Sequence, residues 1–238
     1  MLTVAIAFDQ PLFWAVLVGW IMSVTLHEFA HGLVAHLGGD YTIKERGGLT
    51  LNPLQYIDPV GSLLLPAVFL MIGGIPLPGG VTYVRLDLLR SKAWETAVSL
   101  AGPLMNFLIF LVLAAVLHPR VGWIDPSLMV NQWTNAQIFC GAMAFLQLFA
   151  VVLNLFPVPP LDGFGAIAPY LKDETRFKLS TPPTSTFLMI GFFVLIFAVP
   201  AVREFIFNRL MSPIFNVVGL DTYTLWAALR VALTGTAG

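Results

Sequence analysis

Read from the N-terminus, the chain is a series of apolar runs separated by short polar intervals. The first run covers residues 11–37, with no charge between Asp9 and His27. Pro11 suits a helix start and Gly38-Gly39-Asp40 a stop. A polar interval, GDYTIKERGGLTLNPLQYIDP, follows, with a short alternation at 49–51 that predicts a strand. The next apolar run, 60–72, is broken by Pro66 and falls short of the roughly 20 residues a helix needs to span a bilayer. Residues 81–85 alternate again as a strand would. Residues 93–118, 136–158 and 187–202 read as spans, and 161–183 as a charged, Pro-containing loop. Residues 213–234 are apolar but carry Asp221 and Arg230, so they either span or lie in the interface.

Composition turns these runs into a class. Of 238 residues, 58% are hydrophobic and 11% charged, whereas soluble domains are about a quarter charged. The expected fold is an all-α polytopic membrane protein, with four to five transmembrane helices plus a re-entrant segment with short β-strands. No internal repeat or soluble appendage interrupts it, so residues 1–238 read as one domain, with a core at about 11–170 and C-terminal helices at 184–238. The net charge of −1 leaves no basic footprint for nucleic acid. Cys140 is the one cysteine, which excludes an intrachain disulfide. The first run has no preceding basic residue and reads as a retained helix, not a signal peptide.

Within that first run stands TLHEFAHGLVAH, residues 25–36. Ionisable groups in lipid cost about 2.5–3.5 kcal/mol each on the insertion scale and mark function. On a helix His27 and His31, four apart, share one face and can bind one metal ion, and Glu28 borders that face. This is the H-E-x-x-H arrangement of zinc hydrolases. The bland alternative, polar groups satisfied between helices, fits a lone histidine better than this triplet. His36 lies about 140° around the helix from His31 and reads as interfacial, as does His118. A catalytic zinc needs a third protein ligand. Asp162 in NLFPVPPLDG is a candidate, because Pro157, Pro159 and Pro160 forbid a regular helix there. It either points inward to a metal or is solvated on a Pro-rich surface turn.

HEFAHG on one apolar helix, AGPLMN on a later one and NLFPVPPLDG ending the next together resemble the site-2 protease family of intramembrane zinc metalloproteases. LNPLQYIDPVGSLLLP resembles its short branch, without PDZ or CBS appendages. The resemblance covers about residues 13–170. It implies His27, His31 and Asp162 as ligands of one Zn2+ per chain and Glu28 as the catalytic glutamate. Asn154 matches an asparagine that contacts substrate or steadies the reacting carbonyl. Asn106 matches the asparagine after A-G-P, a packing or hydrogen-bonding position near the site. The chain departs from the pattern at IGGIPLPGGVTYV, which lacks the Trp and Lys of a Gly-Trp-Ala-Lys-Pro-Val-Pro-like stretch. The implied activity is hydrolysis of peptide bonds in or near transmembrane segments of membrane-protein substrates. A metal-ion transporter using the His/His/Asp cluster for transit is the alternative, although it gives Glu28 no hydrolytic role and shows no repeat. A membrane scaffold leaves the triplet unexplained.

Parity sets the topology. His27 and His31 lie near the exit of the first helix, and Asp162 follows the exit of the helix at 136–158. For one metal these exits share a face, which requires 60–77 to dip in and return. Lys44, Arg46, Arg85, Arg90, Lys92, Lys172, Arg176 and Lys178 then lie on one face, with Arg120, Arg203 and Arg209 opposite. The positive-inside rule puts the site's mouth toward the cytoplasm of a prokaryotic cell membrane. In a Cys140→Ser background, single cysteines at Thr42 and Lys92 are expected to label from the same face. Labelling from opposite faces defeats the re-entrant arrangement.

Overall fold

A computed structural model describes residues 8–58, 62, 79–125 and 128–235. Three helices are long and apolar enough to cross a membrane: α1 (Pro11–Gly38), α2 (Lys92–Leu117) and α3 (Asn135–Asn154). The short helix α4 (Asp162–Ile167) follows a break after α3. Then come α5 (Asp173–Ser180) and α6 (Thr184–Ala198), which make a fourth crossing if the pair, bent by 65°, counts as one broken span. α6 alone has 15 residues, or about 22 Å, and stops before Pro200. Short helical pieces cover 200–217, and α7 (Thr222–Thr234) closes the described chain.

Each long helix has a local cause for its ends. Pro11 sits at the first turn of α1, where its missing N–H costs nothing. Gly39 ends the helix at φ 126°, and the Asp40 N–H donates to the Ala35 carbonyl at 3.0 Å. α3 begins with a capping box: the Thr134 hydroxyl accepts from the Gln137 N–H, and the Gln137 side chain accepts from the Thr134 N–H at 2.7 Å. Past Asn154, Pro157, Pro159 and Pro160 deny helical donors, and the chain turns back into α4. Gly163 permits that turn, since a Cβ there would overlap the Leu155 carbonyl.

α1 and α2 run antiparallel. The Arg90 N–H donates to the Gly38 carbonyl at 3.0 Å, and the Arg90 guanidinium donates to the Leu37 carbonyl. A cation on these last carbonyls also complements the helix dipole. The chain therefore leaves α1 and enters α2 at the same end of the bundle. The expected re-entrant segment, 60–77, lies outside the described residues. The main apolar cluster sits toward the other end, built from Phe13, Val16, Phe110, Leu117, Phe145 and Phe215 among others. The histidine end of α1 has no place in that cluster, so packing rigidity and polar chemistry occupy opposite ends of the bundle.

Two expectations are corrected. Residues 49–51 and 81–85 were expected as strands, but no strand occurs among the described residues. Alternation marks a strand only where a partner edge can pair with it, and here the donors go elsewhere. The Val81 N–H donates to the Tyr56 carbonyl at 3.0 Å and the Arg85 N–H to the Asp40 carboxylate at 2.9 Å. Residues 213–234 are not one segment either. Gly219 at φ 74° breaks the run, and Asp221 caps a new helix by accepting from the Thr224 N–H at 2.7 Å.

The loop after α1 folds back over it. A Cβ on Gly32 would overlap the Gly48 carbonyl, so Gly32 lets the loop backbone cross the helix at contact distance. Asp40, with no exposed surface, holds this loop together. It accepts from the Thr42 hydroxyl at 2.5 Å, Arg46 at 2.7 Å and the Arg85 N–H at 2.9 Å. Burial raises its pKa, but those hydrogen bonds outweigh it and hold the carboxyl below its ordinary 3.8. A depressed folded pKa gives stability that is present above the unfolded value and lost as pH falls through the folded one. Asp40→Asn is therefore expected to destabilise the protein by about 2 kcal/mol at neutral pH, the scale of a hydrogen bond to a charged group. The gap between wild type and variant in thermal unfolding should narrow below about pH 4. A gap that stays constant into acid contradicts a charged Asp40.

Candidate metal centre

His27 and His31 project from one face of α1 onto α2, and Asp162 opens α4. His27, Glu28 and His31 are 7%, 6% and 7% exposed. The two Nε2 atoms are 3.0 Å apart. The Asp162 carboxylate straddles them, Oδ2 lying 3.2 Å from His27 Nε2 and Oδ1 3.3 Å from His31 Nε2. The Asp162 side chain is half-buried, with Oδ2 turned in toward His27. One carboxylate oxygen of Glu28 also comes within 4.8 Å of both imidazoles. Of the two acids Asp162 is the closer to both rings.

These separations suit a metal. Tetrahedral zinc with bonds of about 2.0–2.1 Å holds its donor atoms about 3.3 Å apart. Lone pairs account for it as well. His31 Nδ1 is 2.6 Å from the Val98 carbonyl, which can only accept. In the neutral ring Nδ1 then carries the proton, and Nε2 turns a lone pair toward the carboxylate. Lone pairs meeting at such distances repel unless a proton or a metal cation lies between them. Gly102 lets α2 come this close: a Cβ there would overlap the Nε2 atoms of both His27 and His31.

The rest of the site comes from three directions. Asn106, 2% exposed, places its Oδ1 2.9 Å from His27 Nδ1. Residues 79–85 pass beside Glu28: the Thr82 hydroxyl donates to the Glu28 carbonyl at 3.0 Å, and a Cβ on Gly80 would lie 3.0 Å from Glu28 Cγ. Asn154, the last residue of α3, is half-buried, and among the described residues no hydrogen bond joins it to the cluster. His36 stacks edge-on against Tyr41, and His118 accepts from the Arg120 N–H; neither joins the centre. Sequence reasoning missed Gly102 and the Val98 carbonyl. The A-G-P tripeptide was the available signal, because a glycine before a proline inside an apolar helix is costly without a packing reason.

A helical membrane bundle with a buried cluster of two histidines and two carboxylates is the architecture of a membrane-embedded metalloenzyme. Comparison with known proteins agrees. The chain is 37% identical over 215 residues to Rip2 of Mycolicibacterium smegmatis, named as a zinc metalloprotease, covering 90% of this chain and 78% of that one. It is 38% identical over 206 residues to Rip2 of Mycobacterium tuberculosis, covering 84% and 74%. It is 28% identical over 183 residues to YwhC of Bacillus subtilis, also named as a zinc metalloprotease, covering 76% and 78%. No family model and no solved structure matches it. The chain belongs to the site-2 protease family of zinc metalloproteases. It is an integral membrane protein.

Gly102→Ala tests the space between the histidines. The added methyl group is expected to cut zinc content to less than about a tenth of the wild-type value, because a Cβ would collide with both Nε2 atoms and force the rings apart. Elemental analysis of the purified variant reads the result. Full zinc occupancy in a folded alanine variant contradicts the placement.

Proposed function

We propose that this protein is an intramembrane zinc metalloprotease that hydrolyses peptide bonds in or near transmembrane segments of membrane-protein substrates, in the manner of regulated intramembrane proteolysis. One zinc is held by His27, His31 and Asp162. The observation that carries the reading is the convergence of two Nε2 atoms and a half-buried carboxylate within 3.0–3.3 Å beside a second, separate acid. A transit site for ions gives that second acid no task.

When bound, zinc supplies a Lewis acid and brings the pKa of a water to about 7. Glu28 takes the proton from the attacking water and delivers it to the leaving amine. Its place next to His27 and beside residues 79–82 keeps its side chain largely away from bulk solvent. A substrate helix must unwind before its carbonyl can be attacked, and unwound backbone in lipid needs new partners. The non-helical stretch 79–85 beside Glu28 is the surface on which that backbone lies. The Asn154 amide, at the end of α3, steadies the oxyanion of the substrate.

Residues 1–238 act as one domain, with α5 and α6 together completing a fourth crossing. The site opens toward the cytoplasm of a prokaryotic cell membrane, on the face that carries Lys44, Arg46, Arg85, Arg90 and Lys92. The meeting of Gly38 with Arg90 at one end of the bundle supports that placement.

Two variants separate the roles. Glu28→Gln is expected to retain zinc and fold while losing a factor of about 10² or more in cleavage of a model membrane substrate. Asp162→Ala is expected to lose zinc and activity together. Unchanged turnover by the first variant removes Glu28 from the reaction, and stoichiometric zinc in the second removes Asp162 from the ligands. Chelator-resistant cleavage by the wild type overturns the whole reading.

A further inference from the structure

α2 supplies no ligand to the cluster, yet it touches both histidines at three positions spaced by four. Val98 offers its carbonyl to His31 Nδ1 at 2.6 Å, Gly102 faces both Nε2 atoms, and Asn106 meets His27 Nδ1 at 2.9 Å. Such spacing puts all three on one stripe of the helix, running antiparallel to the stripe that carries His31 and His27. Pro103 lies inside this stripe. A proline in a helix removes one backbone donor and pushes aside the carbonyl four residues before it, which opens that turn. The carbonyl so displaced is that of Ser99, next to Val98 in the same turn.

The geometry points to Asn106 as a positioning residue: its Oδ1 accepts the Nδ1 proton of His27, which fixes the ring in the tautomer that turns Nε2 toward Asp162 and His31. The inference rests on the reading of His27 as a metal ligand. The two histidines are held unequally. His31 is fixed by a main-chain carbonyl, which no substitution removes. His27 is fixed by one amide side chain, 2% exposed and 79 residues away in sequence. An Asn side chain can present either oxygen or nitrogen, so the direction of this bond is the content of the claim. If Asn106 donated instead, Nδ1 would hold the lone pair and Nε2 the proton. A proton on Nε2 would then occupy the space beside Gly102.

Outer hydrogen bonds that set ligand tautomers are typically worth a factor of 10–100 in metal affinity. Asn106→Leu keeps the bulk and loses the acceptor. Its zinc dissociation constant, measured by chelator competition on detergent-purified protein, is expected to rise about 10–100-fold. Asn106→Asp keeps the acceptor and is expected to stay within about threefold of the wild type. A leucine variant with wild-type affinity overturns the inference, as does equal weakening in both variants. A wild type that binds no zinc overturns the metal-ligand reading instead, so the two failures are distinct. A measurement on the wild type needs no variant to fold. With only four histidines in the chain, 15N-histidine NMR of the zinc-loaded protein resolves the His27 ring. A proton on Nδ1 is expected, and a proton on Nε2 overturns the inference.

Discussion

Two imidazole nitrogens and a carboxylate held 3.0–3.3 Å apart need a proton or a metal cation among them. The rest of the structure is arranged to make that juxtaposition possible. α1 and α2 lie close because Gly102 lacks a Cβ, and α4 turns back against the end of α3 because Gly163 lacks one. The apolar cluster at the other end of the bundle supplies the rigidity.

The loop after α1 carries that constraint outward. Asp40 binds the Thr42–Arg46 turn to the Arg85 N–H, and Val81 hangs on the Tyr56 carbonyl. These bonds lay residues 79–82 against Glu28. The buried carboxylate at the end of the helix thus couples the loop on the bundle's polar end to the stretch that packs on Glu28. Removing one such partner leaves the others short of a hydrogen bond, so the loop and the site are expected to loosen together.

Much of this was legible in the sequence because lipid simplifies it. Long apolar runs have to be helices, since nothing else satisfies the backbone there. The stop at Gly38-Gly39-Asp40 and the H-E-x-x-H spacing followed from local rules. Three features were not legible. The strands at 49–51 and 81–85 were read from alternation, but pairing depends on a neighbour that alternation does not specify. The run at 213–234 looked continuous because hydropathy does not register one Gly219 at positive φ followed by a capping Asp221. Gly102 looked like an ordinary small residue, because only the arrival of two histidines from another helix gives its missing Cβ a meaning. Asn106 was placed near the site by motif, while its partner, His27, became visible only with α1 and α2 side by side.

We propose that His27, His31 and Asp162 hold one zinc inside the bundle. Zinc K-edge X-ray absorption of the purified protein tests it most directly. The expected first shell has two imidazole nitrogens, with oxygen completing it, at about 2.0–2.2 Å, and no sulfur. A shell without imidazole scattering, a sulfur shell involving Cys140, or protein purified with no zinc and unable to take it up contradicts the account.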